Sequence, residues 1–350
     1  MTPTTATTTT TTAGGLMAAE IAEQPAQWRT LLADAGPELD AVAATIRRYD
    51  PHTVLLVARG TSDHAALYAK YLVEIRLGKA AGLVSPSTMT AYGARPDFHG
   101  VLMIAVSQSG GSPDLVRSLE VARDCGALTV AVTNNAASDL ARAAAAHVDV
   151  LAGPERAVAA TKSYTAQLLA LHQLLDRVGG RDGGSAAVLP DLADALLDRR
   201  GEIAALASRY RFAQRMVTTG RGYSYPTARE AALKLMETAY LSAQAFSAAD
   251  LLHGPLAMID PQVPVLAVVA DGIGGRAMAP VLPRLAERGA DVCIVGAAPD
   301  AHVVLPAGAP EELSPLLEIL PFQLLALHVA VERGGDPDAP RGLAKVTETL

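Results

Sequence analysis

The chain has 350 residues, 50% of them hydrophobic and 19% charged, which suits one large or two medium globular domains. A formal net charge of −7 without any basic run argues against a nucleic-acid-binding surface. Two distant cysteines, Cys125 and Cys293, fit a reduced, cytoplasmic protein, and with no ligand-like spacing of His, Cys or carboxylates no metal is expected.

The opening "MTPTTATTTTTTAGG" lacks the basic and apolar regions of a secretory signal, so residues 1–16 are expected to form a disordered tail. No uninterrupted run of about eighteen apolar residues follows, so no membrane span is expected. The apolar runs "TVLLVA" (53–58), "VLMIAV" (101–106), "LTVAVTN" (128–134) and "HVDVLA" (147–152) are read as buried strands. Helical patterns separate or follow them at 63–75, 113–124 and 159–177. This alternation predicts a parallel sheet covered on both faces.

The Gly-rich "VGGRDGGS" (178–185) breaks the pattern, and residues 181–200 are expected to link two halves. The scheme then recurs. "RMVTTGRGYS" (215–224) parallels "LLVARGTS" (55–62), and "VLAVVADGIGG" (265–275) parallels "VLMIAVSQSGG" (101–111). "ADVCIVG" (290–296) follows as "ALTVAVT" (127–133) does in the first half. Three matched strand ends predict a tandem pair of doubly wound, flavodoxin-like α/β/α domains at 17–180 and 201–336, with a C-terminal tail at 337–350. The copies differ at one point. Ser107, Ser109 and Ser112 align with Asp271, Ile273 and Arg276, which predicts one ligand site per chain.

The loop Ser107-Gln108-Ser109-Gly110-Gly111-Ser112 runs into Pro113 at a helix start. Hydroxyls, close backbone approach and a helix N-terminus together suit a phosphate, although a ligand-free capped turn fits equally. "RGTSDHA" (59–65) adds Thr61 and Ser62 at a second strand-to-helix turn. "PERAVAATKSYTAQ" (154–167) offers backbone N–H groups around Val158 and Ala160 before a long helix. In "YPTAREAALKLMETAY" (225–240), Glu230, Lys234 and Glu237 share one helix face. Apolar neighbours suggest a largely buried helix, where a carboxylate beside a lysine can be tuned for acid/base work; the spacing also fits a partly exposed stripe. His253 precedes Gly-Pro in "AADLLHGPLAMID" (248–260), and Lys345 lies in the terminal "PDAPRGLAKVTETL" (337–350).

Together, "RGTS", "SQSG-x-S-P-D", "VAATKSYTAQL", "GRGYSYPTAREAALKLMETAY", "HGPLAMID" and "PRGLAKVTET" resemble the sugar isomerase (SIS) family over about residues 17–350. Within that family the blocks look like the isomerase half of glucosamine-6-phosphate synthase and the SIS-type glucosamine-6-phosphate deaminases. The resemblance implies a phosphosugar pocket on Thr61, Ser62, Ser107, Gln108, Ser109 and Ser112, with Val158 and Ala160 beside the sugar. It implies that Glu237 shuttles a proton with Lys234 next to it. It gives His253 a ring-opening role in a neighbouring subunit's site, hence a homodimer, and lets Lys345 form a Schiff base with an open ketose. Gly111 stands where the synthase pattern has Glu, and Ala160 where it has Ser. The synthase's glutaminase domain has no counterpart before residue 17, so glutamine hydrolysis is not expected.

The implied activity is conversion of D-glucosamine 6-phosphate and water to D-fructose 6-phosphate and ammonia, with no cofactor. A phosphosugar isomerase running glutamine-independent amination, or a fructosamine-phosphate deglycase, stays open beside it. A non-catalytic phosphosugar sensor fits less well, because Glu237, His253 and Lys345 are all present.

Overall fold

The computed structural model describes residues 12–345. Five parallel strands form the first sheet: β1 (Thr53–Val57), β2 (Ala80–Leu83), β3 (Val101–Ser107), β4 (Leu128–Thr133) and β5 (Ala146–Asp149). Their order is β2-β1-β3-β4-β5. The second sheet contains β6 (Arg215–Gly220), β7 (Ser242–Ser247), β8 (Val265–Val269), β9 (Val292–Gly296) and β10 (Val303–Val304), in the order β10-β9-β8-β6-β7. Its pairings are also all parallel. Counted from its own first strand, each sheet runs second, first, third, fourth, fifth. The repeat seen in three strand ends is therefore a repeat of the whole topology, and the architecture is the doubly wound α/β expected.

Central strands read clearly because both their faces are buried. All seven residues of β3 are buried, as a continuous apolar run requires. The edge strands β2, "AAGL", and β7, "SAQAFS", carry no such run and were not anticipated. Each is only partly covered, so little apolar area was needed to place it.

One hydrophobic cluster runs through both halves, joining Trp28, Tyr68 and Tyr164 to Leu235 and Phe322. Helix Thr61–Leu72 of the first half packs on helix Ser224–Ala239 of the second. This contact brings two distant segments of sequence to one site. Residues 181–200, expected to link the halves, carry a helix, Leu189–Leu197, that packs on helix Gln24–Asp34.

The span Glu311–Glu332 corrects the expectation that nothing matches a membrane span in length and apolarity. It passes that test, but 83% of its apolar window is buried inside the protein, so it serves as a core helix. Glu318 lies near its middle, fully buried. Its carboxylate accepts hydrogen bonds from the hydroxyls of Ser224, Thr227 and Ser314. Burial pushes its pKa above the ordinary carboxylate range despite those bonds.

At the N-terminus, helix Gly15–Ala22 starts within the stretch expected to be a tail; residues 1–11 lie outside the described residues. Asp336 accepts the N–H of Gly14, and Asp338 those of Leu16 and Met17. Two carboxylates at a helix N-terminus complement its dipole and tie the first helix to the C-terminal segment.

Candidate functional site

The hydroxyl loop leaves the end of β3 beside the end of β1, where the strand order of the first sheet reverses. Open α/β sheets bind ligands in the crevice that such a reversal creates. Ser107 Oγ accepts the N–H of Gly110 at 3.1 Å, and Ser109 Oγ that of Gly111 at 3.3 Å. Ser112 occupies the N-cap position of helix Pro113–Asp124, yet its hydroxyl makes no capping bond. That hydroxyl is left to the cleft.

Gly110 has φ +66°, and a Cβ there would collide with the side chain of Ser138, which caps the next helix. Gly110→Ala is expected to cost about 1–2 kcal/mol from the left-handed backbone alone. The clash adds to this. Denaturant unfolding would check it, together with a weaker thermal shift by fructose 6-phosphate.

A cleft of about 300 Å³ opens over this loop. Thr61, Ser62, Ser107, Gln108, Ser109, Ser112, Val158, Ala160, Glu237 and Lys345 all line it. Ser62 is fixed by Gln167, whose amide donates to Ser62 Oγ at 3.0 Å.

Below the cleft lies the Glu-Lys-Glu face of helix Ser224–Ala239. Glu230 and Lys234 have fully buried side chains, and that of Glu237 is 23% exposed. The stripe is therefore not solvated. Lys234 Nζ donates to Glu237 Oε2 at 2.6 Å and to Thr61 Oγ1 at 3.0 Å, and lies 3.3 Å from Glu230 Oε1. Thr61 in turn donates to Glu230 Oε1 at 3.0 Å, and His64 Nδ1 lies 2.7 Å from Glu230 Oε2. Burial alone would raise Glu230, but the Lys234 charge and bonds from His64 and Thr61 hold it below the ordinary carboxylate range. Burial would lower Lys234, and the two carboxylates overrule it, so the ammonium stays charged. Glu230 does not reach the cleft surface; it supports Thr61 and Lys234 from underneath.

Lys345 comes from the other end of the chain. Its Nζ donates to Glu155 Oε2 at 2.8 Å and to the Ala157 carbonyl at 2.6 Å, which sets Leu343 and Ala344 along the cleft as well. His253 is not brought there. It sits exposed just after helix Ala248–Leu252, outside the cleft lining.

Sequence reasoning missed three contributors. Arg59 lines the cleft and pairs with the buried Asp114 at 2.7 Å. Glu155 holds Lys345, and His64 is buried against Glu230. Arg59, His64 and Glu155 all stand inside motifs already singled out. Only their partners, far off in sequence, give them a role. Among the described residues no three His, Cys, Asp or Glu side chains gather as a metal site would need.

The second half accounts for its own lack of a hydroxyl loop. There the N–H groups of Ile273 and Gly274 are already satisfied by the Glu311 carboxylate, at 2.9 and 2.6 Å. The hollow beside them is larger, about 420 Å³, but is walled mostly by Ala, Gly, Leu and Pro. Chemistry-bearing side chains converge on the smaller cleft.

The SIS domain family matches residues 49–177 and 210–333, one stretch in each half. The glutamine–fructose-6-phosphate aminotransferase (isomerizing) of Pyrococcus horikoshii is 36% identical over 347 residues, covering 94% of this chain and 57% of that protein. The chain thus spans somewhat more than half the length of such relatives. Among solved structures, the C-terminal domain of glucosamine-fructose-6-phosphate aminotransferase from Francisella tularensis superposes with a TM-score of 0.84 at 27% identity, covering 93% of this chain and 98% of that one. Glucosamine-6-phosphate deaminase from Thermotoga maritima shares the fold, with a TM-score of 0.74 at 21% identity over 92% of this chain and all of that one. With the repeat, the matched halves and the strand-end cleft all in agreement, this chain belongs to the SIS domain family and is a relative of the phosphosugar-isomerising half of those aminotransferases.

Proposed function

We propose that the chain is an amino-sugar phosphate deaminase, converting D-glucosamine 6-phosphate and water to D-fructose 6-phosphate and ammonia. One observation carries this reading. A hydroxyl-rich anion loop and a carboxylate held by a buried lysine meet in one small cleft. The loop suits a phosphate, with Arg59 adding charge at the rim, and the volume suits a six-carbon sugar phosphate. With the phosphate anchored, the C1–C2 end of the open chain is left to Glu237.

In this proposal Glu237 removes the C2 proton, and the electron pair moves into the C1–C2 bond as the C1 oxygen takes a proton from the substrate's own ammonium and becomes a hydroxyl. Return of the proton to C1 gives a C2 imine. Water adds to that carbon and ammonia leaves, which gives the C2 ketone of fructose 6-phosphate. Lys234 keeps Glu237 oriented and its charge balanced, and Lys345 supplies a cation or amine near C2. Ring opening falls to His253 of a second copy, so a homodimer is part of the proposal, as is a cytoplasmic location. The endings "SPDLV" (112–116) and "KVTET" (345–349) look more like the stand-alone deaminases, which favours deamination over synthesis.

The test is ammonia release from glucosamine 6-phosphate by the purified protein. Release matched by fructose 6-phosphate supports the proposal. A thermal shift with fructose 6-phosphate but no release would reject the deaminase in favour of another phosphorylated amine or a sensor. Ser109→Ala is expected to raise KM about tenfold or more with little change in fold, because a hydrogen bond to a charged group contributes about 1.5–3 kcal/mol. Steady-state kinetics would measure it.

A further inference from the structure

Lys345 reaches the cleft from a segment with little secondary structure, so something must hold it there. The Glu155 carboxylate does so from a fully buried position. Its Oε1 accepts the N–H groups of Thr161 at 2.9 Å and Ser163 at 3.1 Å, and its Oε2 the hydroxyl of Ser163 at 2.7 Å and Lys345 Nζ at 2.8 Å. One side chain therefore organises the start of helix Lys162–Val178, the turn bearing Val158 and Ala160, and the C-terminal segment. Behind that turn Glu20 accepts the N–H groups of Arg156 and Ala157. Glu155 and Glu20 both feel the Lys345 charge, and Glu237 and Arg59 line the same cleft.

We propose that Glu155 is a positioning residue that latches the C-terminal segment across the cleft through Lys345. The proposal rests on the reading of this cleft as an amino-sugar phosphate site. Burial would raise Glu155, yet the Lys345 charge and four hydrogen bonds leave it below the ordinary range, so the pair is ionic. Without Glu155 the lysine keeps only the neutral Ala157 carbonyl, at 2.6 Å, and loses the charged partner that makes the contact strong.

Glu155→Gln separates the two jobs of this side chain. Glutamine retains an oxygen for the Thr161 and Ser163 N–H groups but loses the charge that holds Lys345. Ammonia release from glucosamine 6-phosphate would be compared in wild type, Glu155→Gln, Lys345→Met and the double variant. Glu155→Gln is expected to lower kcat/KM about tenfold in the wild-type background and at most about twofold when Lys345 is already Met, as residues acting through one contact are not additive. Additive losses would overturn the proposal.

Trypsin gives a readout independent of turnover. Cleavage after Lys345, followed by mass, should accelerate several-fold in Glu155→Gln. Cleavage after Arg341 should accelerate in Lys345→Met, which leaves the helix cap intact if Glu155→Gln fails to fold. Unchanged cleavage in both variants would sink the latch. A wild type that releases no ammonia would instead remove the proposed function, with the latch still judged by trypsin.

Discussion

Glu237→Gln is expected to reduce ammonia release from glucosamine 6-phosphate by about 10²–10⁴, the usual range for loss of a positioned general base. Fructose 6-phosphate should still raise the melting temperature of the variant as it does that of the wild type. The substitution is nearly isosteric, and the amide oxygen can still accept from Lys234 Nζ, which lies 2.6 Å from the native carboxylate. The phosphate loop sits at the end of β3, in the other half of the chain, with Ser107, Ser109 and Ser112 untouched. What disappears is the ability to take a proton from C2. Turnover within about threefold of wild type would remove Glu237 from the proton path, because a positioned general base typically contributes about 10²–10⁴. Loss of both turnover and the thermal shift would mean that the carboxylate holds the cleft open and does no chemistry.

The parts of this site differ in how openly the sequence states them. The topology was legible because buried parallel strands are written as apolar runs, and β3 with β8 and β4 with β9 repeat that writing in each half. The edge strands β2 and β7 were not, since a half-covered strand needs no such run. The hydroxyl loop was legible as a candidate, because serines and glycines before Pro113 are locally sufficient for an anion site.

The helix face was ambiguous. Spacing puts Glu230, Lys234 and Glu237 in line but cannot say whether water or protein covers them. The answer comes from Thr61 and His64, more than 160 residues earlier, on the helix that packs across. Glu155 was invisible for the same reason, as its partner Lys345 is 190 residues away. Family resemblance supplied roles for Lys345 and His253 that spacing alone does not carry. The fold brings the first to the cleft and leaves the second on a loop outside it.

Lys234→Met should be the most destabilising single change at this site. Removing one partner of a buried ion pair costs about 3–5 kcal/mol, because the remaining charge has neither water nor counter-charge. Here two carboxylates would be left, Glu230 fully buried and Glu237 mostly so. Adding Glu230→Gln to Lys234→Met removes one of those charges and is expected to recover part of the loss.

The pH dependence gives the sharper test. In the wild type Glu230 ionises below its unfolded range, so its contribution is present above that range and fades as pH falls through the folded value. Lys234 is raised, so its contribution is complete below the unfolded lysine range and fades only as pH climbs through the folded value. In Lys234→Met the main force that holds Glu230 low is gone while its burial remains, and Thr61 and His64 stay as its hydrogen-bond partners. Its pKa should then rise above the unfolded value, and a carboxylate with a raised pKa favours the folded state as pH falls. The stability gap to wild type, measured by denaturant unfolding, should therefore narrow between about pH 7 and about pH 5. A gap that stays constant or widens across that range would mean that the variant is weakened by lost packing, and that Lys234 is not what keeps Glu230 charged beneath the cleft.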